Sequence, residues 1–189
     1  MYDVNVNGCV RVNRAVLPSM RARGSGVLMH MSSAAGRLTV PGLAPYCASK
    51  YALEALADAY RYELHPWGIQ SLLIEPAIYR TPIFEEAVRP DDRGRLEAYG
   101  ERAAYVEQVR SVFAAAMADP ANPGAAEVAE AVVRLVEMDP AARPFRTVVS
   151  APVEQLLAPY NATADSLRQP IAAMFGVQEL VGAEAAAGV

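Results

Sequence analysis

The 189 residues carry 21 acidic and 17 basic side chains, a formal charge of -4, and 53% of them are hydrophobic against 20% charged. That balance excludes intrinsic disorder, and the length fits one domain able to bury roughly 70% of its unfolded surface without disulfides or metal. The mild acidity speaks against a nucleic-acid partner, and no run approaches the ~20 apolar residues of a membrane helix.

Residues 4–23 have the spacing of an amphipathic helix, with Val12, Ala15, Val16 and Met20 as its stripe and Pro18 predicting a kink or an irregular last turn. After Gly24-Ser25-Gly26, the short apolar run Val27–Met31 reads as a strand buried on both faces. Residues 32–45 read as a loop. A second helix is predicted from Tyr46 to Leu64, with Ala52, Ala55, Leu56, Ala59 and Tyr60 inward and Glu54, Asp58, Arg61 and Glu63 elsewhere. His65-Pro66 stops it, and Ile69–Ile74 forms the next strand. Thr81-Pro82 and Asn122-Pro123 look like helix N-caps followed by a first-turn proline. Residues 83–118 read as one or two helices, and Val128, Ala131, Val132, Leu135 and Val136 line the one after. Phe145–Ser150 is a third strand, 153–175 are helical pieces, and the last residues are a loose tail. The alternation predicts a parallel α/β sheet with right-handed crossovers.

Lys50 is the sole lysine, and it follows Tyr46 by four residues, which places both on one helix face. A free phenol keeps its proton up to about pH 10, too high for acid–base work at neutrality. An ammonium ~4 Å away, at an effective dielectric of ~20, favours the ionised phenol by about 4 kcal/mol. Ser33 lies just past the first strand, at the strand end where open α/β sheets gather their functional groups. It could donate a hydrogen bond to a substrate oxygen, or serve only as a polar turn residue. Asn5, near a helix start, has a capping role as its ordinary alternative.

Four runs in register, Asp3–Gly8, Met31–Gly36, Tyr46–Lys50 and Glu75–Thr81, resemble the short-chain dehydrogenase/reductase family, closest in look to its hydroxysteroid and retinol dehydrogenase branch. The resemblance implies a Rossmann-like parallel sheet with flanking helices, and hydride transfer between NAD or NADP and a small or apolar alcohol or ketone. Tyr46 would be the acid/base, Lys50 would acidify it and bind the nicotinamide ribose, and Ser33 would polarise the carbonyl. Asn5 would hold a relay water, and the cofactor would also meet Pro76, Ala77, Ile78 and Thr81. Leu38, Val40, Leu43, Ile83 and Phe84 suggest an apolar substrate side.

Two departures stand out. Ala77 occupies the position where the family has glycine, and its methyl could crowd the nicotinamide. No glycine-rich strand-to-helix turn is found, so the sequence reads as the C-terminal half of the fold, with roughly 90 residues of the first βαβ units absent. Residues 1–180 are then a partial domain with a lid about 82–118, and 181–189 a flexible tail. The first of the three strands should present an unpaired edge. The expected partners are a small-molecule substrate and a second copy of the chain, docked through the helices carrying Asn5 and Tyr46. The alternative is a catalytically inactive fragment that serves as a dimerisation module. His30 and His65 are too isolated to hold a metal, Cys9 and Cys47 are expected as free thiols, and the location is expected to be cytoplasmic.

Overall fold

In the computed structural model, which describes residues 1–84 and 92–181, three strands form one parallel sheet in the order β1 (Gly26–Met31), β2 (Ile69–Pro76) and β3 (Arg146–Val149). β1 pairs with β2 from Gly26↔Ile69 to Met31↔Ile74, and β2 with β3 from Leu73↔Arg146 to Pro76↔Val149. Among the described residues β1 is an edge strand, as its sequence predicts. Residues 85–91, which fall in the expected lid, and residues 182–189 of the expected tail lie outside the described residues.

Before β1, a π-helical segment (Asp3–Gly8) runs into α1 (Cys9–Arg23), which ends on Gly24 in the left-handed conformation. α1 continues past Pro18 to Arg23, and the six-residue π-helical segment precedes it. After β1 a short 3-10 turn (Ala34–Gly36) leads to α2 (Ala44–Glu63), which starts two residues before Tyr46 with Pro45 in its first turn. A turn at His65–Trp67 ends at Gly68, whose φ of +66° and position 2.3 Å (from a hypothetical Cβ) to the Gly24 carbonyl oxygen admit only glycine. Beyond β2 come α3 (Arg93–Ala98), α4 (Ala104–Ala118) and α5 (Ala126–Glu137). After β3 follow α6 (Ala151–Ser166) and α7 (Arg168–Phe175).

The period of two along β2 explains the layering. Leu73 packs on Ala57 of α2 and on Phe145, while Ile74 packs with Ala131 and Leu135 of α5, Val149 and Tyr79. Leu28 and Ile69 meet Leu64, Tyr60, and the α1 residues Val16, Leu17 and Met20. Both faces of β2 are therefore covered, which is why Leu72, Leu73 and Ile74 form an unbroken apolar run.

Two expected helix faces are rotated, and a third departs at one position. On α1, Val12 is exposed and Asn13 is buried instead. On α2, Ala55 and Ala59 face outward, and the inner row is Leu53, Glu54 and Ala57. Glu54 is buried because Arg146, ninety-two residues away, supplies its counter-charge. On α5, Val136 is exposed while the other four predicted positions pack inward or nearly so. Asn122 does not cap α5: its side-chain amide donates to the Ala116 carbonyl at 2.7 Å, and the helix opens on Ala125 without a side-chain cap.

Candidate active site

The site forms at the carboxyl ends of β1 and β2, where the chain leaves the sheet for the Ser33 turn and for the Pro76–Thr81 run. Tyr46 is half-buried on the first turn of α2, and Lys50 lies one turn on, its Nζ 5.8 Å from the centre of the Tyr46 ring. The ammonium donates to the Met31 carbonyl, the last residue of β1, at 2.9 Å. One bond thus fixes the lysine between strand and helix and leaves two of its three donors for other partners. Burial pulls the Lys50 pKa below its ordinary 10.5, and the neighbouring Cys9 and Glu54 hold it up.

Asn5 is not a cap. It sits in the π-helical segment, a form that recurs at functional sites. Its side-chain amide crosses to α2 and donates to Ser49 Oγ at 3.1 Å. Ser49, fully buried, donates in turn to the Tyr46 carbonyl at 2.7 Å. Asn5 is therefore tied to the helical turn that carries Tyr46 and Lys50. Ser49 is a member of this arrangement that the sequence shows only as a motif letter, since nothing in its spacing marks a buried hydroxyl.

Ser33 keeps its turn role as well: its Oγ accepts the Ala35 amide at 3.1 Å and opens the 3-10 turn. That bond uses a lone pair and leaves the hydroxyl proton to be donated elsewhere. Pro76 closes β2, Ala77 is half-buried, and Ile78 and Thr81 are exposed on the way out. The intervening Tyr79, unremarked in sequence, is buried, with its hydroxyl 2.5 Å from the Val149 carbonyl and 3.0 Å from Glu127 Oε2. Burial, with Glu127 adding to it, pushes that phenol up to about 12, so it is a structural pin and not an acid. Of the expected apolar substrate side, Leu38 and Ile83 are exposed and Val40 and Leu43 half-buried; the Phe84 side chain lies outside the described residues. Among the described residues no group of three or more His, Cys, Asp or Glu side chains could hold a metal, and no helix is long and apolar enough to cross a membrane.

Residues 1–92 match the short chain dehydrogenase family. Over 113 residues the chain is 35% identical to the oxidoreductase YusZ of Bacillus subtilis, taking in 57% of this chain and 40% of that protein. Over 124 residues it is 35% identical to human 17-beta-hydroxysteroid dehydrogenase type 1, covering 64% of this chain and 38% of the relative. Among solved structures, a short-chain dehydrogenase from Streptomyces avermitilis is similar with a TM-score of 0.64 at 27% identity, over 93% of this chain and 61% of that one. A short-chain dehydrogenase/reductase from Burkholderia phymatum, in complex with NAD, gives a TM-score of 0.63 at 25% identity over 89% and 59%.

The fold is thus a Rossmann-like parallel α/β sheet with flanking helices, similar to that of these dehydrogenases. By sequence over residues 1–92, and by fold over 93% of its length, the chain is similar to short-chain dehydrogenases. It spans about 40% of the length of these curated relatives and about 60% of these solved chains.

Proposed function

We propose that the chain supplies the proton-transfer side of an NAD(P)-dependent oxidoreductase site that interconverts an alcohol and a carbonyl. The observation that carries this reading is the fixed placement of Tyr46 and Lys50. They share one face of the first turns of α2, held by Lys50 to the end of β1 and by Asn5 through Ser49 to the Tyr46 carbonyl. In the reducing direction the Tyr46 hydroxyl donates its proton to the substrate oxygen, and in the oxidising direction the phenolate takes it back. Ser33 donates a hydrogen bond to the same oxygen, and Lys50 stabilises the phenolate by its charge.

The residues present fit the nicotinamide–ribose end of the cofactor. Lys50 has two donors left after Met31 for ribose hydroxyls, and Pro76, Ala77, Ile78 and Thr81 leave the adjoining strand end. NAD or NADP, when bound, supplies or accepts the hydride. Similarity to hydroxysteroid dehydrogenases, and the partly exposed apolar side chains Leu38, Val40, Leu43 and Ile83, support an apolar alcohol or ketone as substrate. A second copy docked through α1 and α2, and a lid made from about residues 82–118, belong to the same proposal.

Titrating the purified 189-residue chain with NADH and NADPH, read by nicotinamide fluorescence, tests the cofactor half. Saturable micromolar binding supports the enzyme reading, whereas none up to millimolar cofactor favours a chain that only binds a partner.

A further inference from the structure

We propose that Glu54 is a positioning residue for the proton-transfer pair: seated in a buried ion cluster, it locks the Ser33 turn and the first turns of α2 together and passes its own charge state to Lys50. The inference rests on the reading of Tyr46 and Lys50 just given.

Glu54 is only 3% exposed, and its Oε2 accepts a hydrogen bond from Arg146 Nη1 and lies 3.5 Å from Arg37 Nε. Arg146 Nη1 also donates to Glu75 Oε1 at 3.0 Å, and its Nη2 to Asp58 Oδ2 at 2.9 Å. Arg37 Nε is 3.9 Å from Glu75 Oε1. Three of the cluster's segments carry the proposed site. Arg37 follows Ser33 by four residues, Glu54 follows Lys50 by four, and Glu75 directly precedes Pro76, Ala77 and Ile78. Arg146, from β3, is the guanidinium that binds the acidic members together.

The fit leaves no slack. A Cβ on Gly36, at the end of the Ser33 turn, would stand 2.7 Å from Ser32 Oγ, 2.9 Å from Glu54 Cγ and 3.0 Å from Glu54 Oε1. The Glu54 side chain therefore rests directly against that backbone, and a shift of α2 along its axis would break this seat together with the ion pairs.

The charge balance makes Glu54 more than a strut. With every group ionised, Glu54, Glu75 and Asp58 outnumber Arg37 and Arg146 by one negative charge, so a single bound proton makes the cluster neutral. Burial, then the Glu75 carboxylate, pushes Glu54 up to about 7, while Ser32, Arg146 and Arg37 pull the other way. One turn away, Cβ atoms ~5–6 Å apart, Lys50 faces Glu54 on its own helix, Cys9 from α1, and the Met31 carbonyl from β1. Ionised Glu54 favours charged Lys50, and protonated Glu54 withdraws that support. If the cluster served stability alone, apolar packing of the same volume would do as well or better.

Lys50 is the sole lysine of the 189 residues, so a sample labelled with 13C at the lysine ε-carbon gives one resonance that reports it directly. In the wild type this resonance should show its own midpoint below 10.5 and a second, smaller inflection near pH 7. In Glu54→Gln the smaller inflection should vanish and the main midpoint move further down, while Glu54→Asp, which restores the charge, should bring both back toward wild type. The glutamine variant also separates Glu54 from the two histidines. A wild-type resonance without the inflection, a result that needs no variant to fold, would overturn the proposal, as would a Glu54→Gln titration identical to wild type. Failure of the enzyme reading shows elsewhere, as turnover indifferent to Tyr46, and leaves this titration unchanged.

Discussion

His30 offers a sharp test of the packing around β1. The imidazole is 4% exposed, lies stacked on Tyr60 at 6.1 Å between ring centres, and its Nε2 has no hydrogen-bond partner among the described residues. Burial alone pulls its pKa from 6.5 to about 4. Because the folded value lies below the unfolded one, the folded chain holds the neutral ring. The associated stability is present above pH 6.5 and is lost as pH falls toward 4. Between pH 7.5 and pH 5 that linkage amounts to about 2 kcal/mol, a substantial share of the ~5–15 kcal/mol typical of a domain. Urea denaturation of the wild type and of His30→Leu at both pH values reads it. Leucine lowers stability or raises it by an amount that cancels in the comparison, so the quantity of interest is the difference in pH dependence. The wild type should lose about 2 kcal/mol more than the variant on going to pH 5. Equal losses in the two proteins would refute the buried neutral histidine and, with it, the seating of β1 against α2.

Glu54 should act with the opposite sign: its folded pKa, about 7, lies above the ordinary 4.5, so its contribution is complete below pH 4.5 and disappears as pH rises through 7. Chemical denaturation of Glu54→Gln should show a flatter loss of stability between pH 5 and 8 than wild type, and a parallel slope would contradict the assignment. At two left-handed glycines the same substitution should give unequal costs. Gly176→Ala, with φ +68° and open space around a Cβ, should cost about 1 kcal/mol. Gly68→Ala, which would drive a Cβ to 2.3 Å from the Gly24 oxygen, should cost clearly more, as thermal denaturation of the pair would show.

Much of the fold is legible in the sequence because it is local. Val27–Met31 and Ile69–Ile74 announce strands by being apolar without interruption, which follows from a sheet covered on both faces. The four-residue spacing of Tyr46 and Lys50 puts them on one helix face whatever surrounds it. What escapes is long-range. Glu54 sits where periodicity assigns solvent, and its burial is made tolerable by Arg146, far away in the chain on β3, together with Arg37. Ser49 and Tyr79 look like ordinary helix and loop residues, and their roles come from Asn5 and from Val149 and Glu127, each more than forty residues away in the chain. The outward rotation of Val12, Ala55 and Ala59 has a related cause. Apolar spacing defines a stripe, but the π-helical start of α1 and the ion cluster beneath α2 decide which edge of that stripe faces the sheet.

The proton-transfer assignment is tested most directly by turnover of an apolar ketone with NAD(P)H, comparing the protein that carries this chain with its Tyr46→Phe variant under conditions where both bind cofactor equally. Loss of the positioned hydroxyl should lower kcat by roughly 10²-fold or more. A phenylalanine variant that turns over within a few-fold of wild type would contradict the account.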